Sequence, residues 1–270
     1  MIIEILGLLI GLYALVVGLT ALFQRSMIYH PGKTLSSPDA CDLPEMVPVQ
    51  ILSQDGWLIT GWYAPAAKPD RVTVVFYHGN SGTIANRAAK ARQMLDAGCG
   101  VLLVGYRGYG GNPGSPSEAG LIRDGRAALH WLIAKGMPQS RIVLYGESLG
   151  TGIATRMATE IEDLSAVILE APFTCLPDLA PSYLLPGLAR MLMADQFDNR
   201  AIIAQVTAPI LVVHGNRDDL VPVAMGRELL GRAGSAEKKA LFLPEAGHND
   251  LWDKGAAAPI LEFLIERLQW

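Results

Sequence analysis

Gly146-Glu147-Ser148-Leu149-Gly150 follows the apolar run Ile142-Val143-Leu144-Tyr145 and leads into a helix-compatible stretch, Thr151 to Ile161. A serine with glycine two residues before it and two after, at a strand-to-helix junction, sits at the tip of a very tight turn. Its hydroxyl then points out of the sheet into solvent, because neither glycine carries a side chain to block the bend. In a chain holding 28 glycines the pentapeptide alone is a weak signal. The strand before it and the helix after it supply its meaning.

Outward from that turn the chain alternates. Apolar strands are expected at Val72–Tyr77, Val101–Gly105, Ile142–Tyr145, Ala166–Leu169, Ile210–Val213 and Ala240–Leu243. Helices are expected between most of them, at Ile84–Ala97, Ser117–Ala134, Thr151–Ile161, Val223–Ala233 and Ala256–Leu268. Continuous apolar strands separated by helices imply a mostly parallel sheet covered on both faces. Ahead of them, Val49–Leu52 and Trp57–Tyr63 read as a hairpin turning at Asp55-Gly56, which adds antiparallel edge strands. Ser115-Pro116-Ser117-Glu118 offers a capping box, with Ser115 as N-cap, for the second helix. One interval, 172–208, breaks the alternation: prolines 172, 177, 181 and 186 stand among Leu184, Leu185, Leu188, Met191, Leu192 and Met193. So long an insertion with apolar content is expected either to form a small cap over the site, with a lipid-like substrate surface, or simply to close the edge of the core with helices.

The N-terminus is another kind of sequence. Ile2 to Phe23 is broken only by Glu4, Gly7, Gly11, Gly18 and Thr20. As a helix these 22 residues would extend about 33 Å, enough for a hydrocarbon core of about 30 Å. No lysine or arginine precedes the run, it exceeds a signal-peptide h-region, and no clear A-x-A site follows, so it reads as an uncleaved single-pass anchor. Arg25 and Lys33 just after it lean towards a cytoplasmic domain, but two charges leave the side open. The expected organisation is an anchor at 1–25, a linker at 26–48 and a catalytic domain at 49–270. A net charge of −4 over 270 residues gives no reason to expect a nucleic-acid partner. Cys41, Cys99 and Cys175 lack metal-ligand spacing and exclude a disulfide framework. No cofactor motif and no metal cluster is present in the sequence.

Three post-strand loops carry the chemistry. A serine hydroxyl needs a base within hydrogen-bond reach and a group that holds the base in the right tautomer. In a parallel sheet these parts come from loops at the carboxyl ends of strands. Ser148 closes one strand. Asp218 lies in His214-Gly215-Asn216-Arg217-Asp218 after another, and His248 in Gly247-His248-Asn249 after the last. His248 is expected to take the Ser148 proton and Asp218 to orient the imidazole. The backbone N–H of Asn80 (or Ser81), in His78-Gly79-Asn80-Ser81-Gly82, together with that of Leu149, is expected to form an oxyanion hole.

These stretches resemble the α/β-hydrolase superfamily, and more closely its Bem46-like branch of membrane-anchored serine hydrolases. Further matches are Tyr29-His30-Pro31, Phe76-Tyr77-His78-Gly79-Asn80, Tyr106-Arg107-Gly108-Tyr109-Gly110 and Glu170-Ala171-Pro172-Phe173. The resemblance spans nearly the whole chain in order. It implies an α/β-hydrolase fold and esterase, lipase or thioesterase chemistry on a small-molecule or lipid-like ester. It selects Asp218 over its neighbour Asp219. The alternatives are a serine aminopeptidase or oligopeptidase, and a non-catalytic membrane scaffold of the same fold. Asp250 lies on the His248 loop and is a weaker orienter. His78, His130 and His214 read as structural, His30 as a linker residue, Arg107 as a loop brace, and Glu170 as a buried anchor rather than an acid.

Overall fold

The computed structural model describes residues 2–180, 184 and 187–267. The chain opens with one long helix, α1 (Ile2–Ile28), and a two-residue strand, β1 (His30–Pro31). The expected hairpin follows as β2 (Val47–Leu52) and β3 (Leu58–Ala64), paired antiparallel. Alternation then begins: β4 (Thr73–Tyr77), the short β5 (Ser81–Gly82), α2 (Ala88–Asp96), β6 (Gly100–Val104), α3 (Glu118–Ala134), β7 (Ile142–Glu147) and α4 (Gly150–Ala158). After β8 (Ala166–Glu170) come two short helices, α5 (Leu188–Leu192) and α6 (Asn199–Ile202). The chain closes with β9 (Ile210–Gly215), α7 (Val223–Arg232), β10 (Lys238–Leu243) and α8 (Ala257–Glu266).

Eight strands form one sheet in the order β10-β9-β8-β7-β4-β6-β3-β2. It is parallel from β10 to β6, with the hairpin antiparallel at one edge. β4, β6, β8 and β9 are buried at every residue, as unbroken apolar runs must be when helices cover both faces. Successive side chains alternate between two cores: Leu102, Leu144 and Val212 pack on one face, and Leu103, Tyr145 and Val213 on the other. Each such side chain contributes about 1.5–3 kcal/mol by leaving water. The strand order places the ends of β7, β9 and β10 along one rim of the sheet.

Some local expectations are corrected. The N-cap of α3 is Ser117, whose hydroxyl accepts from the Gly120 amide at 3.1 Å, not Ser115. The box cannot form because Glu118 is engaged elsewhere. Its amide donates to Asp195 at 3.0 Å, and its carboxylate accepts from the Gln196 amide at 2.6 Å. Residues 26–48 are packed rather than strung out: α1 continues to Ile28, β1 pairs with β5, and Tyr29, Leu43 and Met46 are buried. The helix expected from Ile84 opens as a 3-10 turn, Ile84–Arg87. A wide turn kinked at Gly255 precedes α8. Pro181, Leu185, Pro186 and Leu268 lie outside the described residues. Cys99 and Cys175 are buried, Cys41 is half-buried, and all three are free thiols.

Candidate active site

The bend after β7 is as tight as its glycines allow. Ser148 has φ 50°, in the left-handed region, and its amide donates to the Glu170 carbonyl of β8 at 2.8 Å. A Cβ on Gly146 would lie 2.6 Å from the Gly150 carbonyl oxygen, and one on Gly150 would strike the Tyr77 carbonyl. Only glycine fits either place, so the turn follows from van der Waals exclusion.

Loops after β9 and β10 bring two more side chains to Ser148. His248 Nε2 lies 3.0 Å from Ser148 Oγ, and His248 Nδ1 lies 2.7 Å from Asp218 Oδ2. Four donors converge on the Asp218 carboxylate. Oδ1 accepts from the amides of Leu220 at 3.0 Å and Val221 at 2.7 Å, while Oδ2 faces both His248 and His214 Nε2, the latter at 3.3 Å. Burial works against the charge, but hydrogen bonds from His214, His248 and the Val221 amide hold Asp218 well below the usual carboxylate range. An ionised carboxylate only accepts, so His248 carries its proton on Nδ1. Nε2 is then the acceptor and the Ser148 hydroxyl the donor. The same logic puts the His214 proton on Nε2, which also donates to the Val221 carbonyl at 2.9 Å.

The rival carboxylates stand apart. Asp219 is exposed, and Asp250 Oδ1 accepts from the Gly247 amide at 2.7 Å, bracing the loop. Arg107 is clamped by Asp124 and Asp55, at 2.7 Å each, and braces the hairpin against α3. His78 donates from Nδ1 to the Gly79 carbonyl at 2.8 Å and stacks on Tyr106 with ring centres 4.2 Å apart. Burial pushes it down to about 3, so it is neutral.

Among the described residues, neither the Asn80 nor the Leu149 amide donates a hydrogen bond. Both residues and Ser148 border one cavity of about 270 Å³. Phe173, Leu176, Leu179, Leu184, Met193 and Leu220 line it, and Thr20, Gln24, Met27 and Ile28 of α1 complete it.

Beneath the turn lies an ionic network that sequence reading missed. Glu147 accepts from Arg87 and, at 2.8 Å, from Lys90, which also reaches Glu170 at 2.7 Å. Glu170 accepts in addition from Tyr145 and from Trp252 Nε1, the latter at 3.0 Å. Although burial opposes ionisation, Lys90 and Arg87 hold Glu147 well below the usual range. Arg87 donates to the Ser81 carbonyl at 3.0 Å as well, so one guanidinium ties the Asn80 loop to the serine turn. The three-residue spacing of Arg87 and Lys90 was the available signal, and many surface helices show it.

A family model described as serine aminopeptidase, S33 (Hydrolase_4) matches residues 68–195. The chain is 37% identical over 230 residues to an uncharacterized Mycobacterium tuberculosis protein, covering 84% of this chain and 81% of that one. It is 30% identical over 279 residues to Protein bem46 of Schizosaccharomyces pombe, covering 95% and 92%. The chain belongs to the Bem46-like branch of the α/β-hydrolases. An esterase of Pyrococcus furiosus, Pf2001, superposes with a TM-score of 0.71 at 21% identity, over 88% of this chain and 99% of that one; this is a likeness of fold. As an α/β-hydrolase the chain is a hydrolase, and α1 is a candidate membrane span with a mean hydropathy of 2.5 and no buried residue.

Proposed function

We propose that this Bem46-like protein is a serine hydrolase that cleaves esters or thioesters of apolar acyl groups through an acyl-enzyme. The observation that carries the reading is the Ser148–His248–Asp218 relay, with hydrogen-bond separations of 3.0 and 2.7 Å, opening on an apolar cavity. His248 Nε2 takes the hydroxyl proton as Ser148 Oγ attacks the acyl carbonyl. Asp218 stabilises the imidazolium that results. The Asn80 and Leu149 amides receive the oxyanion; Leu149 also sits at the start of α4, where the helix dipole favours negative charge. Collapse breaks the acyl bond to the alcohol or thiol, which leaves with the proton from His248. Water, deprotonated by the same imidazole, then attacks the acyl-enzyme, releases the acid and restores the Ser148 hydroxyl.

The family model's description raises peptide bonds as a second reading. An aminopeptidase holds its substrate's ammonium group with a carboxylate, and among the described residues none lines this cavity. We assign α1 as a single-pass anchor, 49–270 as the catalytic domain and 172–208 as its cap.

A fluorophosphonate probe should label the wild type and not Ser148→Ala, and that variant should lose about 10³- to 10⁶-fold in kcat. Equal labelling of both proteins would refute the nucleophile. p-Nitrophenyl esters of increasing length should be cleaved with a preference for longer chains, and peptide anilides poorly. Strict preference for acetyl, or faster anilide cleavage, would overturn the substrate class.

A further inference from the structure

We propose, resting on the acyl-hydrolase reading above, that the last turns of α1 are a wall of the acyl pocket. The helix that crosses the bilayer then also selects the substrate, an ester whose acyl chain enters sideways from the hydrocarbon layer.

Three observations carry this. The first is the face α1 turns inward. Tyr13, Val17, Thr20, Ala21, Gln24 and Ile28 are half-buried, while the rest of the helix is exposed. Their spacing of three and four residues is one continuous stripe. Thr20, Gln24, Met27 and Ile28 border the cavity that holds Ser148. Just above, a smaller cavity lies between Val17 and Ala21 on one side and Ala189 and Leu192 of the cap on the other.

The second is that α1 is fastened to the cap rather than hinged. The Gln24 side chain donates to the Leu192 carbonyl at 3.1 Å and accepts from the Ala194 amide at 2.7 Å. Arg25 pairs at 2.9 Å with the buried Asp195, which also accepts from Tyr29 at 3.0 Å. A side chain of α1 therefore keeps its place relative to Ser148.

The third is depth. From Ile5 to Gln24 no residue is charged, and these 20 residues span about 30 Å, the thickness of a hydrocarbon core. Arg25 then lies at the headgroups, and Thr20 about 7.5 Å deeper, among acyl chains. Exposed apolar side chains continue this surface around the cavity mouth: Met27 at 50% and Leu220 at 57% exposure. The ester bonds of bilayer lipids lie at the boundary between headgroups and hydrocarbon, the level of Arg25, with their acyl chains reaching down past Thr20. A volume of about 270 Å³ is at the small end for ligand pockets, suited to one chain with the headgroup left outside.

The test uses the full chain in phosphatidylcholine nanodiscs, with the ratio of kcat/KM for p-nitrophenyl dodecanoate to that for p-nitrophenyl acetate as readout. Thr20→Trp should lower the ratio at least tenfold. Leu22→Trp, at a position 73% exposed on the opposite face, should leave it within twofold. If Thr20→Trp moves both substrates alike, or Leu22→Trp lowers the ratio as much, the wall is refuted. Should Thr20→Trp misfold, Met27→Ala decides: widening the rim should raise the ratio about threefold, and an unchanged ratio overturns the proposal. Labelling by a short-chain fluorophosphonate separates the two readings. An unlabelled wild type sinks the serine hydrolase itself, whereas a labelled protein with an unaltered chain-length profile sinks only the role of α1.

Discussion

On the sheet side of the cavity Asp218 and the carbonyls around the Asn80 loop are held by directional hydrogen bonds, whereas the side facing it, from α1 and the cap, presents mostly apolar surface. Asp218 accepts from two amides and faces two imidazoles. The Asn80 carbonyl takes the His30 amide at 2.9 Å and the Tyr109 hydroxyl at 2.7 Å, and the His78 carbonyl takes the Tyr106 hydroxyl at 3.1 Å. The apolar side chains of Leu176, Leu179 and Met193 opposite can make no such directional bonds, and the polar ties of α1 lie at its rim. Directional bonds fix atoms to the tolerance that proton transfer needs, while apolar contact fixes only volume. Substitutions on the two sides should therefore differ in kind: loss of rate on one, change of chain-length preference on the other.

The strongest break should come from Asp218→Asn. It removes the negative charge facing the imidazolium and favours the wrong His248 tautomer, so kcat should fall about 10²- to 10⁴-fold with KM little changed. A matching rise in KM instead would mean that Asp218 serves binding. Next is Arg87→Met, which leaves Glu147 to Lys90 alone and frees the Ser81 carbonyl. Unfolding free energy from urea titration should drop by about 3–5 kcal/mol, as when one partner of a buried pair is removed. Retained stability would show that the network beneath the turn is dispensable.

A third, smaller effect concerns acid. His78 titrates at about 3 in the fold, against an ordinary 6.5, because burial disfavours its charged form. Between those values the unfolded chain takes up a proton that the folded chain refuses, so stability falls as pH drops from 6.5 towards 3. The slope from this one group is about 1.4 kcal/mol per pH unit. His78→Phe should flatten the profile by that amount, and an unchanged slope would place the acid sensitivity elsewhere. The mildest change is Met193→Ala on the apolar side. It should alter dodecanoate over acetate by about threefold to tenfold and stability by no more than about 1 kcal/mol. A collapse of acetyl turnover in this variant would erase the distinction between the two sides.

Much of the sheet side was legible in the chain itself. Strand positions, the serine turn and the order of Ser148, Asp218 and His248 follow from local constraints: apolar runs, glycines that exclude a Cβ, and loops at strand ends. Where local signals competed they misled. Ser115 had the better capping sequence, yet Ser117 caps α3 because Glu118 is held by the distant Asp195 and Gln196. Residues 26–48 have the composition of a linker, and their buried Tyr29, Leu43 and Met46 are too sparse to form a periodic pattern.

Residue order thus determined the parallel core and which loops could meet, since both are properties of short stretches. Tertiary structure alone decided that Arg87 spans 60 positions to hold Glu147, and that Arg25 spans 170 to hold Asp195 and set α1 beside the cavity. Pairings at such separations leave no spacing to read. They come from how whole elements pack, and packing is a property of the assembled fold.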